Sequence, residues 1–137
     1  MLIGADDAPI VPVASLRRAL AHDRTNALAA ATAAAAVGAT GAGIRAGLAA
    51  YETMPHRVAL VGESGGVRWY DDSKATNPDA AVTAVRAFPS VVLLAGGRNK
   101  GLDLSVLASS SDHLRGVVAF GEAGPEVAAA FTETKTP

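Results

Sequence analysis

Apolar and polar positions follow two textures along this chain. Up to about Met54 the apolar positions are mostly alanine. Asn26 to Val37 is nearly continuous alanine and predicts a helix, with Gly38 as its stop. Ala14 to Ala21 has weaker helical character. Met1 to Gly4 suits the end of a strand and "DDAP" a turn. "IVPV", interrupted by Pro12, suits an edge strand or connector. "TGAGIRAGLAAYETMP" predicts a turn, a short second helix and a stop at Pro55, because the residue before a proline disfavours helix. Within it "GAGIRAG" follows a helix rather than a strand and lacks the dinucleotide glycine spacing, so it is expected to be a helix-to-helix turn.

After Pro55 the pattern changes. "HRVALVGESGGVRWYDD" predicts two strands joined by a glycine-rich turn at Ser64 to Gly66. Asn77 can cap a helix that has Pro78 at its first position and Asp79 in its first turn. Val82, Val85 and Phe88 would give that helix an apolar face. "SVVLLAGG" is a continuous apolar run of the kind found in strands buried on both faces. "DLSVLASSS" predicts a helix, "GVVAFGEAG" a strand and "PEVAAAF" a helix opened by proline. Strands alternating with helices predict an α/β fold with a parallel sheet, and the expected boundary lies near Met54 and Pro55.

Composition narrows the chemistry. The 137 residues have room for about one domain. The net charge of -1 gives no electrostatic reason for a nucleic-acid or acidic-membrane partner. The absence of cysteine excludes disulfides, thiolate metal sites and a cysteine nucleophile, and makes a cytoplasmic location the default expectation. The alanine-rich run is too short and too weakly apolar to span a bilayer. "MLIGADDAP" lacks the basic start and long apolar run of a signal peptide.

Ligands of open α/β sheets bind beyond the carboxyl ends of strands. Three such ends carry candidates: "YDDSKATNP", "AGGRNKG" and "FGEAGP". The first two hold most of the polar residues and are expected on one edge of one sheet. Gly96 and Gly97 allow a sharp turn and close approach to a ligand, and Lys100 offers a mobile cation; the alternative is a plain turn with a solvated lysine. Asp71 and Asp72 could hold a metal, accept hydroxyls or face water. Lys74 and Thr76, in front of a helix N-terminus, could clamp a carboxylate or phosphate. Asn77 is most simply the helix cap. His22, His56 and His113 are too scattered to predict a zinc site.

"HDRTNALAA", "MPHRV", "DDSKATNP" and "GGRNKGLD" occur in the order and spacing of the Mur ligases, which the chain resembles from about His22 onward. "DDSKATNP" followed by Gly-Gly-x-x-Lys resembles in particular the branch that adds D-glutamate. The resemblance implies an ATP-dependent carboxylate–amine ligase of peptidoglycan precursor synthesis, with ATP and Mg²⁺ as cofactors. Its substrates would be D-glutamate and UDP-N-acetylmuramoyl-L-alanine. The substrate carboxylate would become an acyl phosphate, which the amine of D-glutamate then attacks.

The resemblance also implies a partial Rossmann-like parallel sheet with flanking helices, preceded by a helical remnant of an ATPase domain. Residues 1–54 would be the tail of the central ATP-binding domain and 55–137 the first half of the C-terminal ligase domain. The rest of the ligase chain would be the partner. Asn26 would contact adenine, Arg57 the nucleotide phosphates and Asp72 the ribose hydroxyls. Lys74, near the phosphates and the reacting centre, and Arg57 would be the catalytic residues. Thr76 and Lys100 would hold a carboxylate of D-glutamate. No metal ligand and no role for His56 are implied. Asp23 stands where the family usually has Asn, and a carboxylate accepts but cannot donate; either its contact to the nucleotide differs from the family's or it acts simply as a helix cap. The Gly-Lys-Thr/Ser phosphate loop and the family's magnesium-binding Glu and His are not in this sequence, so this polypeptide alone is expected to lack turnover. The alternative is a non-catalytic nucleotide- or anion-binding module, or an interaction domain.

Overall fold

The computed structural model of the chain describes residues 1–3 and 9–137. The turn expected at "DDAP" lies outside these residues except for Pro9. The described chain divides between Met54 and Pro55 into two compact units.

In the first unit, β1 (Leu2–Ile3) pairs antiparallel with β2 (Pro9–Val11). Only a 3-10 turn, Val13–Ser15, stands where Ala14 to Ala21 was expected to be helical. Helix α1 runs Ala21–Ala36 and so begins five residues before the expected Asn26. Its earlier start has a local cause. The Asp23 carboxylate accepts the Leu20 backbone N–H at 3.0 Å and fixes the first turn. Gly38, at φ 87, then ends the helix in the left-handed conformation favoured just past a C-cap.

Helix α2 is Gly41–Ala50, so "GAGIRAG" is the body of a helix rather than a turn. The Thr40 hydroxyl accepts the Gly43 N–H at 3.1 Å. That cap starts the helix despite interior glycines, which individually disfavour it by about 1 kcal/mol. Buried Leu2, Val11 and Ala27 form a small core with Leu28 and Leu48 packed on it.

In the second unit, β3 (Ala59–Ser64) and β4 (Val67–Asp71) form an antiparallel hairpin. Its two-residue turn is Gly65–Gly66, both at positive φ, as the right-handed twist of a hairpin prefers. Helix α3 (Pro78–Arg86) is capped by the Asn77 side chain, which accepts the Ala80 N–H at 2.8 Å. Val82 and Val85 are buried on its inner face, while Phe88, just beyond its end, stacks on Tyr70 of β4 with centroids 4.7 Å apart. That contact ties the hairpin to the helix.

Strand β5 (Val91–Gly96) pairs parallel with β6 (Leu114–Phe120), and α4 (Gly124–Ala130) follows. The segment between the strands, Leu104–His113, is 3-10 rather than α-helical. Ser110 and Ser111 donate their hydroxyls three residues back, to the Leu107 and Ala108 carbonyls, which suits the tighter winding.

The chain is thus α/β, with small separate parallel and antiparallel sheets. One side of β5–β6 packs through Leu93, Ala95, Val117 and Ala119 on the core of Val82, Leu107, Val127 and Phe131. The other side leaves Val92, Leu94, Val118 and Phe120 exposed, each by about half. "SVVLLAGG" is therefore covered on one face among the described residues, not two. Its run is apolar throughout, but the helices of this unit pack on one side only. No helix among the described residues is long and apolar enough to cross a membrane.

Candidate functional site

"YDDSKATNP" and "AGGRNKG" do not end strands of the same sheet. The first leaves β4 of the hairpin and the second leaves β5 of the parallel pair. The expectation that both fall on one sheet edge is corrected. An antiparallel hairpin closes its hydrogen bonds locally, and among the described residues β4 pairs with β3 alone. The loops that do share an edge are "AGGRNKG" and "FGEAGP", at the carboxyl ends of the parallel strands β5 and β6.

That shared edge is tightly built. A Cβ on Gly96 would overlap the Phe120 carbonyl. Gly97 accepts the Ala123 N–H at 2.9 Å through its carbonyl. Asn99 donates to Glu126 and to the Leu102 carbonyl, and accepts the Leu102 N–H at 2.9 Å. Arg98 donates to Glu122 at 2.9 Å across the surface. Asn99, Glu122 and Glu126 were not singled out in the sequence. Their pairing links residues more than twenty positions apart, which spacing alone cannot signal. Lys100 is exposed at the tip of this loop, and no ion pair engages it among the described residues.

The other polar loop is built from two segments. His56 Nδ1 lies 2.6 Å from Asp71 Oδ2, and Asp71 Oδ1 accepts the Ser73 N–H at 2.9 Å. Asp72 Oδ1 accepts the Val58 N–H at 3.1 Å. The Lys74 N–H donates to the His56 carbonyl at 3.1 Å. "MPHRV" is therefore stitched to "DDSK". Arg57, Asp72 and Lys74 are brought to one neighbourhood, with Arg57 and Lys74 exposed and Asp72 half-buried.

The Ser73 N–H first, then the His56 ring and the Ser73 hydroxyl, pull Asp71 down to about 2. The two adjacent carboxylates thus both hold the Pro55–Val58 loop, Asp71 through the His56 ring and Asp72 through the Val58 N–H. Neither joins a three-residue cluster of metal-ligating type among the described residues. The sequence left their roles open. The repeated Asp-Asp signalled the place but not the division of labour. The backbone strain of this loop was also missed. His56 lies at φ 63 and Val58, a buried β-branched residue, at φ 49.

Thr76 is exposed between this loop and the Asn77 cap, and no hydrogen bond or ion pair joins it to Lys100 among the described residues. Asn26 is exposed on α1, in the first unit. It lines a groove of about 480 Å³ whose walls include Ala30, Ile44 and Leu48, with Arg18 and Asp23 among its lining residues. Asp23 is held by Arg18 through two bonds of 2.7 Å. Burial alone would raise its pKa, but the Arg18 hydrogen bonds and charge, with His22 and the Leu20 N–H, bring it below the ordinary value. Asp23 is therefore an ionised helix cap.

No family model matches the chain. Its curated relatives nonetheless cover most of it, and it belongs to the Mur ligase family. The relatives are, more narrowly, enzymes named UDP-N-acetylmuramoylalanine--D-glutamate ligase. The one from Frankia casuarinae is 46% identical over 123 residues, which is 89% of this chain and 26% of the relative. Those of Thermobifida fusca and Gloeobacter violaceus are 46% and 40% identical over 73% and 88% of this chain, and 22% and 28% of the relatives. The chain spans about a quarter of the length of the curated relatives it matches.

Proposed function

We propose that this chain is a segment of an ATP-dependent ligase that joins D-glutamate to UDP-N-acetylmuramoyl-L-alanine in peptidoglycan precursor synthesis. The observation that carries the reading is the identity of 40–46% to D-glutamate ligases over most of the chain. In this reading Met1–Met54 is the tail of the central ATP-binding domain. Pro55–Pro137 is the first half of the C-terminal ligase domain, with β5 and β6 two strands of a Rossmann-like sheet. The partner is the rest of the ligase, and the expected cytoplasmic location goes with it.

The residues fit a nucleotide in part. ATP, when bound, supplies the phosphoryl group that activates the substrate carboxylate. Arg57 and Lys74 would face its phosphates, where fixed cations stabilise charge that develops during transfer. Asp72 already accepts one backbone N–H, and a carboxylate has further acceptor sites for ribose hydroxyls. Asn26 would meet the adenine edge from its apolar groove. Thr76 and Lys100 would orient a carboxylate of D-glutamate. For Mg²⁺ the described residues do not fit, since no three candidate ligands come together among them.

The test is a titration of the isotope-labelled chain with ADP and with D-glutamate, followed amide by amide. ADP is expected to shift Arg57, Asp72 and Lys74, and D-glutamate to shift Thr76 and Lys100. Lys100→Ala and Thr76→Ala should each weaken D-glutamate binding by about tenfold or more, the loss typical of a charge-assisted hydrogen bond. ADP binding with no response to D-glutamate would mark a nucleotide-binding module instead. No response to either, from a chain with an ordered spectrum, would overturn the reading.

A further inference from the structure

The loop before β3 holds two non-glycine residues in the left-handed region, His56 at φ 63 and Val58 at φ 49. Val58 is also buried and β-branched, so neither a turn preference nor side-chain freedom explains its conformation. Such backbones persist only where their surroundings over-determine them. Here the surroundings are the four residues that leave β4. The His56 ring meets Asp71 at 2.6 Å, the His56 carbonyl accepts the Lys74 N–H, and the Val58 N–H donates to Asp72. Asp71 is in turn fixed by the Ser73 N–H. The His56 ring carries a side-chain link from the strained loop into this set of bonds.

We propose that His56 and Asp71 form a positioning pair that latches the strained loop Pro55–Val58 onto Asp71–Lys74, and so sets Arg57 and Asp72 for the nucleotide. Arg57 lies between the two left-handed residues, so its direction from the backbone follows from theirs. Asp72 is the other half of the same arrangement, because its carboxylate receives Val58. Both members of the pair act through their neighbours. The proposal rests on the reading of Arg57 and Asp72 as nucleotide contacts, and its test separates the two.

His56→Gly keeps the positive φ accessible and removes the ring. His56→Asn keeps a donor close to the Nδ1 position and tolerates the left-handed backbone. Asp71→Ala removes the acceptor. Amide hydrogen exchange and ADP affinity are measured on each full chain, with Leu93 and Val117 of the parallel strands as a check that the fold is kept.

His56→Gly and Asp71→Ala are expected to lower protection at Val58 and Lys74 and to weaken ADP by about tenfold, while the double variant is no worse than Asp71→Ala alone. His56→Asn should hold both near the parent values, a rescue that a purely steric role for the ring would not give. Native protection and affinity in His56→Gly, or losses that add in the double variant, would overturn the pair. A parent chain that binds no ADP would overturn the proposed function and the nucleotide half of this inference, while the exchange data still decide the latch.

Discussion

Asp71 and Asp72 are neighbours that hold one loop through different groups, the His56 ring and the Val58 N–H. Asp71 is held down to about 2 by the Ser73 N–H first and then by His56. A carboxyl with a depressed pKa stabilises the fold fully above its unfolded value and loses that contribution as pH falls through the folded one. The Ser73 amide shift should therefore titrate with a midpoint near 2 rather than near 4, and His56→Gly should move that midpoint upward. A midpoint near 4 in the parent chain would mean that these hydrogen bonds do not form in solution. At this scale the sequence located the polar cluster but not its wiring. Asp-Asp-Ser-Lys is visible in a string of letters. That Asp71 would turn to His56, fifteen residues earlier, depends on how the hairpin brings its two ends together. Asp23 was more legible, because a cap acts within one turn of its own helix and Leu20 is only three residues away.

Elements were readable where local chemistry decides them. The Asn77–Pro78–Asp79 start of α3 is such a case, since cap, first residue and first-turn charge all lie within three positions. Asn77→Ala should lower stability by about 1 kcal/mol in urea unfolding, while Asn77→Asp should recover most of it. "GAGIRAG" misled because glycine content suggests a turn, whereas Thr40 just before it supplies a cap that starts a helix. "SVVLLAGG" showed a strand but could not show which of its faces is covered, because both are apolar. Gly96 marks where packing, not conformation, demands glycine. A Cβ there would strike the Phe120 carbonyl of the paired strand, and backbone cannot swing aside as a side chain can. Gly96→Ala should therefore destabilise the second unit by about 3 kcal/mol in the same unfolding experiment. A loss below about 1 kcal/mol would mean that β5 and β6 are not this closely paired.

At the scale of the whole molecule, the sequence carried its family through four short motifs, and the relatives extend that likeness over most of the chain. It did not carry how the polar loops are shared between sheets, since strand pairing joins residues far apart in the chain. Catalysis of acyl transfer depends largely on positioning. A segment a quarter as long as its relatives, without a Gly-Lys-Thr/Ser phosphate loop in its sequence, should show no D-glutamate-dependent ADP release when purified alone. Detectable release would contradict that expectation. The direct test of the proposed function is a segment exchange. The stretch of the Thermobifida fusca ligase that aligns over 101 residues would be replaced by the corresponding residues of this chain, and D-glutamate-dependent ADP release would be measured. The account expects turnover within about tenfold of the parent ligase, falling by about a hundredfold or more with Lys74→Ala. A folded exchange protein that binds nucleotide but forms no product, or one indifferent to Lys74→Ala, would contradict it.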